Sequence, residues 1–338
     1  DDLTVVGDLD VDGTTNLDVV DIDGAVQIDA TLSVGVNDTG YDVKFFGATA
    51  SRHMTWDESA DSLIISGNLD VNDGTIKLDG AYPIGTANTA LGDAALDSLT
   101  TGGSNVAIGN GTLTANTSGN NNIGMGRRAL LSNTSGGANV GIGLDALYSN
   151  TTASYSTAVG YQALYANTTG ANNVAVGGLS LDANTTGDQN VAVGTSALGA
   201  LTAGDKNVAI GNSTLSQFNV TDGSETFNTA VGYAAGGAVT TGIQNTLIGG
   251  LAGDAFTDAD MNVAIGYEAL TADTLGSKSV AVGKQALYTQ NFTSATDTFN
   301  TAVGHNAGTL VTTGANNTLI GGLAGDAITT GGSNVALG

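Results

Sequence analysis

The chain has 338 residues, enough for two or three ordinary domains by length. Glycine accounts for 51 residues, 12% of the residues are charged and 41% are hydrophobic, which disfavours both an ordinary globular domain and a disordered chain and favours thin β-structure with many turns. The formal net charge of −24 opposes nucleic-acid binding and contact with anionic membranes. Without cysteine there are no disulfides or thiolate metal sites, and no segment approaches the ~20 apolar residues of a membrane span.

The N-terminal quarter of the chain is the most acidic part, with 17 acids and 3 bases in residues 1–87. The segment VVGDLDVDGT (5–14) returns as IISGNLDVNDGT (64–75), and strands that alternate in polarity between Asp-Gly turns predict a β-rich shaft. We divide this region into acidic β shaft repeats (1–32), a β-hairpin region (33–66), and a shaft repeat with a linker (67–87).

The stretch DLDVDG resembles the opening of a calcium-binding EF-hand loop, with Asp8, Asp10 and Asp12 as ligands. The twelfth loop position, which should be a bidentate glutamate, is Val19. Alternating Val and Leu also fit a strand better than a helix–loop–helix. The three aspartates are therefore a weak candidate metal site, and solvated acids on a strand are the competing interpretation.

From Asn88 to Gly338 a short motif, loosely N-[VT]-A-[VI]-G, occurs fifteen times. The spacing is 17 residues except within 207–227 and 279–299, where four residues are inserted. Each repeat predicts a short strand, a glycine corner, a second short segment that usually contains leucine, and an Asn/Thr/Gly turn. This pattern is typical of one coil of a parallel β-solenoid.

The asparagine that opens each repeat is predicted to form a structural ladder, because equivalent residues of successive coils stack about 4.8 Å apart and their amides can bond to one another. The ladder residues are Asn105, Asn122, Asn139, Asn173, Asn190 and Asn207.

The middle residue of the strand is Ala or Gly in thirteen repeats, and we interpret the large residues on either side as facing the coil interior. The small residues then point outward, where another backbone must pass close by. This predicts that Ala107, Ala158, Ala175, Ala192 and Ala209 pack against a neighbouring chain in an assembly of several solenoids. The interface should shift at Leu247 and Leu319, which interrupt the row.

The two inserted segments are rich in aromatic residues and are candidate contact loops, because binding often resides in loops on a rigid scaffold. Their rings could alternatively fold back and fill the widened coil. The residues concerned are Phe218, Phe227, Tyr288, Phe292 and Phe299.

The cores NVAIG, NVAVG and NTAVG resemble the head repeats of trimeric autotransporter adhesins of the YadA type. The longer stretch STAVGYQALYANTTGANNVAVG (156–177) is similar to repeats of bacteriophage tail fibre proteins. The resemblance covers residues 88–338 and implies a left-handed parallel β-roll assembled as a homotrimer. The chain begins at Asp1 and stops in mid-repeat, so we expect an excerpt of a longer polypeptide.

These observations predict a structural fibre segment, in a virion tail fibre or on an extracellular surface, that attaches to a host receptor of unknown identity and contacts other fibre components. A bacterial surface adhesin or extracellular filament is an alternative, and a polysaccharide-degrading tailspike is a second. We expect no enzyme activity and no cofactor, because no catalytic motif is present and Asp188 and Asp205, which stack on adjacent coils, fall at a solvated turn. His53 and His305 are expected at the surface.

Overall fold

The computed structural model describes residues 43–46, 53–57, 62–66 and 87–338. Strands β1 (Val43–Phe46), β2 (His53–Asp57) and β3 (Ser62–Ser66) form an antiparallel sheet in chain order. They belong to a compact unit that comprises residues 1–77, and residues 78–338 form a second unit. The predicted segment 1–32 and all but the last residue of 67–87 lie outside the described residues.

The second unit is a parallel β-solenoid with one three-residue strand in each coil, and the described ranges contain no helix. The predicted all-β solenoid with a period of 17 residues is therefore confirmed. The fifteen strands are β4 (Thr89–Leu91), β5 (Val106–Ile108), β6 (Ile123–Met125), β7 (Val140–Ile142), β8 (Thr157–Val159), β9 (Val174–Val176), β10 (Val191–Val193), β11 (Val208–Ile210), β12 (Thr229–Val231), β13 (Thr246–Ile248), β14 (Val263–Ile265), β16 (Val280–Val282), β18 (Thr301–Val303), β19 (Thr318–Ile320) and β20 (Val335–Leu337). Two shorter strands, β15 (Gly276–Ser277) and β17 (Thr296–Asp297), pair with each other.

Every strand is in register with its neighbours, so equivalent residues stack in columns. Ala175, for example, lies between Ala158 and Ala192. Fourteen steps of about 4.8 Å make the stack of strands roughly 67 Å long.

A column of glycines, which we call the corner glycines, ends each strand. From Gly92 to Gly321 their φ angles lie between 126° and 142°, a conformation that L side chains rarely adopt. A Cβ at Gly177 would lie 2.6 Å from the carbonyl oxygen of Gly194 in the next coil. Both the backbone angle and the close approach require glycine here, which explains its presence in every repeat.

Leucines after the corner fill the interior, although their backbone is left-handed. Leu113, Leu130, Leu147 and Leu164 are fully buried, with φ between 52° and 54°. Such a conformation costs on the order of 1 kcal/mol for a residue other than glycine, and burial of the side chain offsets that cost.

In four coils glycine takes this position, as Gly236, Gly253, Gly308 and Gly325. An apolar residue three positions later then fills the interior: Val239, Phe256 and Val311 are fully buried, and Ile328 is partly buried against the core.

Candidate functional site

The asparagines that open the coils lie inside the solenoid, where Asn105, Asn122, Asn139, Asn173, Asn190 and Asn207 are all fully buried. At Asn190 the side-chain oxygen accepts hydrogen bonds from the backbone N–H and the Nδ2 of Asn207, both at 3.0 Å. Its own Nδ2 donates to the carbonyl of Gly204 at 2.8 Å. Each residue thus joins two coils, and all but Asn207 also close their own turn through Nδ2, which is an architectural role.

A second asparagine column, which we call the turn ladder, was not recognised from the sequence. Its fully buried members are Asn116, Asn133, Asn150, Asn167 and Asn184. The Nδ2 of Asn167 donates to the Oδ1 of Asn150 at 3.0 Å and to the carbonyl of Gly170 at 2.9 Å. The recurrence of Asn-Thr or Asn-Ser every 17 residues was the available signal, but it also fits ordinary turns.

Next to the turn ladder runs a column of threonines whose hydroxyls also link the coils. The Oγ1 of Thr168 donates to the carbonyl of Thr185 at 3.0 Å, and Thr151 donates to Thr168 in the same way. The protons of these hydroxyls are part of the bonding between coils, which is an architectural role.

The prediction that the alanine row faces a neighbouring chain is wrong. Ala107, Ala158, Ala175, Ala192 and Ala209 are completely buried within a single chain, as are Leu247 and Leu319. A Cβ at Gly124, in the same column, would lie 2.5 Å from the Thr112 methyl group and 3.5 Å from a Leu113 methyl group of the same chain. The small residues point inward because the leucine column already occupies the narrow interior.

The consequence is an outward row of large aliphatic side chains, which we call the aliphatic face. It consists of the first and third residues of the fifteen strands, and most of these residues are Val or Ile. Seven of them expose between 36% and 40% of their surface: Ile123, Met125, Ile142, Val176, Ile210, Ile248 and Ile320. Parallel sheets are normally covered on both faces, and a contiguous exposed apolar patch marks an interaction surface.

The aromatic residues of the two insertions divide into two groups. Phe218 is fully buried and Phe292 is 8% exposed, so these rings fill the widened coils, and Tyr288 is half-buried. Phe227 and Phe299 are exposed by 46% and 54%. The contact-loop interpretation therefore survives only for Phe227 and Phe299.

The two exposed phenylalanines share one local arrangement, 72 residues apart. The Nζ of Lys206 lies 5.4 Å from the centre of the Phe227 ring and forms an ion pair with Glu225. Lys278 contacts Phe299 at 5.5 Å and pairs with Asp297. In both cases the inserted segment supplies the acid, and one side of each ring is covered by a cation.

The acids considered for polysaccharide hydrolysis bind the backbone. Asp188 accepts a hydrogen bond from the N–H of Ala171 at 2.6 Å, and Asp205 accepts one from the N–H of Asp188 at 2.7 Å. Partial burial raises the pKa of Asp205, with the negative charges of Asp188 and Glu225 acting in the same direction. Each carboxylate therefore binds a backbone N–H of the preceding coil at the edge of the solenoid.

The described residues contain no group of three or more His, Asp or Glu side chains that could hold a metal ion. Asp8, Asp10 and Asp12 lie outside the described residues, as does the His53 side chain, whereas His305 is exposed. A search of the described part of the chain finds no helix with the length and apolarity to span a membrane.

Fold and surface together define a β-solenoid repeat protein with an uncovered aliphatic face. Comparison of the chain with protein-family models, curated proteins and solved structures finds no match.

Proposed function

We propose that the chain is a structural fibre protein, a segment of a bacteriophage tail fibre, that spans distance as a homotrimer and mediates attachment to a host surface. The observation that carries this proposal is the aliphatic face, which a single chain leaves in contact with water along the whole stack of strands. The trimer and the left-handed roll rest on the sequence resemblance, and the acidic shaft rests on the alternating residues and Asp-Gly turns of segments 5–14 and 64–75.

The size of the aliphatic face favours association with copies of the same chain. Fifteen strands about 4.8 Å apart, each about 10 Å long, give a face of roughly 700 Å². A standard protein interface buries about 800 Å² on each partner. A second copy offers a matching surface, since its rows have the same spacing along the stack and the same aliphatic character.

Replacement of two aliphatic-face residues by lysine tests this assembly. Val159→Lys with Val176→Lys places two charges on the face in adjacent coils. The control, Thr169→Lys with Thr186→Lys, adds the same charges to exposed positions of the same two coils. We expect trimers of the parent and the control in analytical ultracentrifugation and single chains of the first variant. A monomeric parent protein would overturn the proposal.

A trimer built in this way would equally serve a bacterial surface adhesin or an extracellular filament. Antibodies raised against residues 88–338 distinguish these locations by electron microscopy. Gold label on the tails of virions supports the fibre proposal, and label restricted to the bacterial surface supports the alternative.

A tailspike that degrades polysaccharide is the second alternative. We propose a purely structural role, because the stacked acids Asp188 and Asp205 are engaged with the backbone. Incubation of the protein with host surface polysaccharide should release no new reducing ends. Sustained release of oligosaccharides that stops in the double variant Asp188→Asn with Asp205→Asn would establish the enzymatic alternative.

A further inference from the structure

Two surface positions border the aliphatic face in every coil. The leading flank is the residue immediately before the one that opens the coil, and the trailing flank is the residue immediately after the corner glycine. Most flank residues are small or polar, such as Asn172 and Gly178 in one coil and Gln244 and Gly250 in another. The flanks therefore differ from coil to coil, unlike the aliphatic face between them.

Aromatic residues at the trailing flank occur in the same coils as aromatic residues or methionine at the leading flank. Four coils carry an aromatic residue or methionine at the leading flank, and each of these four has tyrosine or histidine at the trailing flank. Three of the pairs are Tyr155 with Tyr161, Phe227 with Tyr233, and Met261 with Tyr267. The fourth is Phe299 with His305.

Contacts within one chain do not account for these pairs. Five residues separate the two members of each pair, and three of them form a strand about 10 Å long. Tyr155 and Tyr233 expose 69% and 64% of their surfaces. Among residues 87–338 the rings that stack on each other are Tyr148 and Tyr165, which belong to neither flank. Among residues 87–338, no stacked ring pair joins the two residues of one coil.

We propose that the copies associate in register around an axis parallel to the stack, so that the leading flank of each coil contacts the trailing flank of the same coil in the neighbouring copy. This inference rests on the assembly proposed above and adds its direction, its register and its specific contacts. In such a cyclic arrangement the strands follow one another head to tail, so the start of one strand meets the end of the next. Aromatic pairs and methionine–aromatic contacts then form between copies.

The aliphatic face alone does not define the register between two copies, whereas the flanks do. The rows of the aliphatic face repeat about every 4.8 Å, so two copies could slide by one coil with little loss of apolar contact. The four large pairs lie at coils that open at 156, 228, 262 and 300, which are four, two and two coils apart, so no two of them are in adjacent coils. A slip by one coil places Tyr161 opposite Asn172 and Phe227 opposite Asn212 in the neighbouring copy, so the large pairs are lost.

One coil carries two like charges, because Lys278 and Lys284 occupy its two flanks. In-register assembly brings these two lysines together. Lys278 is already engaged by Asp297 and by the Phe299 ring, which reduces the repulsion.

Chemical cross-linking tests the register directly, since the chain contains no cysteine. Chains that carry Phe227→Cys are co-expressed with longer, tagged chains that carry Tyr233→Cys, and the purified protein is treated with a short bismaleimide. Any link between the two variants must join two chains. The mismatched control combines Phe227→Cys with Tyr161→Cys, which lie four coils apart, roughly 19 Å along the stack. The Tyr155→Cys and Tyr161→Cys chains are a second matched pair, used if the first does not fold.

We expect a linked species of mixed length from the matched pairs, with a yield at least tenfold above that of the mismatched pair and of either variant alone. Equal yields, or links from the mismatched pair alone, would overturn the register while the assembly stands. Absence of links from both matched pairs in protein that sediments as a trimer would also overturn it. Sedimentation as single chains would instead refute the assembly on which the inference rests.

Discussion

The coils between Asn105 and Gln189 and those after Asn207 share one backbone but fill the interior differently. In the first region each coil combines a small strand residue, a leucine after the corner and a turn-ladder asparagine. In the second region the turn ladder is replaced, in part by Phe218, Val239 and Phe256. The coils that open at Asn245 and Asn317 go furthest, with Leu247 and Leu319 in the strand and Gly253 and Gly325 in place of the leucine.

The difference shows which features of a coil are fixed and which can be exchanged. The corner glycine and the residue that opens the coil keep their roles in both regions, because their conformation or hydrogen bonds engage the next coil. The three interior positions exchange bulk with one another. What they conserve is the total volume that fills the narrow space.

The largest loss of stability should come from substitution of a corner glycine, because every coil of both regions contains one. Gly177→Ala forces a side chain into a left-handed backbone, 2.6 Å from the Gly194 carbonyl oxygen. We expect a loss of about 3 kcal/mol in the free energy of unfolding. Gly178→Ala is the matched control, since a Cβ there has a single neighbour within 4 Å, at 3.9 Å. Urea denaturation followed by circular dichroism measures both, and equal effects would contradict the role of the corner.

A smaller loss is expected when the ladder shared by both regions is interrupted. Asn190→Ala leaves the buried N–H of Asn207 and the carbonyl of Gly204 without their partners, which costs about 2–4 kcal/mol. Asn190→Ser should cost less, because Ser156 shows that serine at this position still accepts the backbone hydrogen bond. The same denaturation measurement compares them, and a serine variant no better than alanine would count against the acceptor role.

The idea that the three interior positions exchange side-chain volume can be tested in the coil that opens at Asn245, by giving it the interior residues of the first region. Gly253→Leu alone should overpack the interior and cost about 2 kcal/mol, because a Cβ there would lie 2.7 Å from the Phe256 ring. The triple variant that adds Leu247→Ala and Phe256→Asn restores the composition of the first region. It should recover most of the loss in thermal denaturation, and a further decrease would show that the interior positions are not interchangeable.

The smallest effect concerns Asp273, which takes the turn-ladder position in the second region. Burial raises the pKa of its carboxyl group, although Gln290 and the N–H groups of Phe292 and Gly276 donate hydrogen bonds to it. Because the folded pKa lies above the unfolded one, the stabilising contribution is complete at acidic pH and is lost as the pH rises through the folded pKa.

The difference in stability between Asp273→Asn and the parent should therefore favour the variant more at pH 7 than at pH 4. Differential scanning calorimetry at both values measures this change. Asp182 and Asp254, whose pKa values burial also raises, are present in both proteins and cancel in the comparison. A constant difference between variant and parent across this range would contradict the assignment.

The sequence predicted the period, the strands and the corner glycines, because each depends on local spacing. It did not predict which side of the strand faces inward. Alternation places Val174 and Val176 on one side and Ala175 on the other, but it does not identify the interior. Large residues usually face a core, and here the leucine and asparagine columns leave room for no more than a methyl group.

The same limit explains the divided outcome for the inserted aromatics. Phe218 and Phe227 belong to one insertion, yet the first takes the turn-ladder position and the second a flank. The spacing between two ladder asparagines gives the length of an insertion, but it does not show which of the inserted residues point into the interior and which lie on the surface. The left-handed backbone of the leucines after the corner could not be predicted either, because leucine as a residue type gives no indication of a positive φ.

The in-register stacking of coils also determines how the solenoid responds to force. Hydrogen bonds between coils run along the stack, so tension applied to the two ends of the solenoid loads one coil at a time rather than all in parallel. Each coil that peels away releases 17 residues, and this lengthens the molecule by roughly 50 Å. A single solenoid would therefore unravel in equal steps at modest load, with the two longer coils as the exceptions, and lateral bonding to other copies is what would make it a tether.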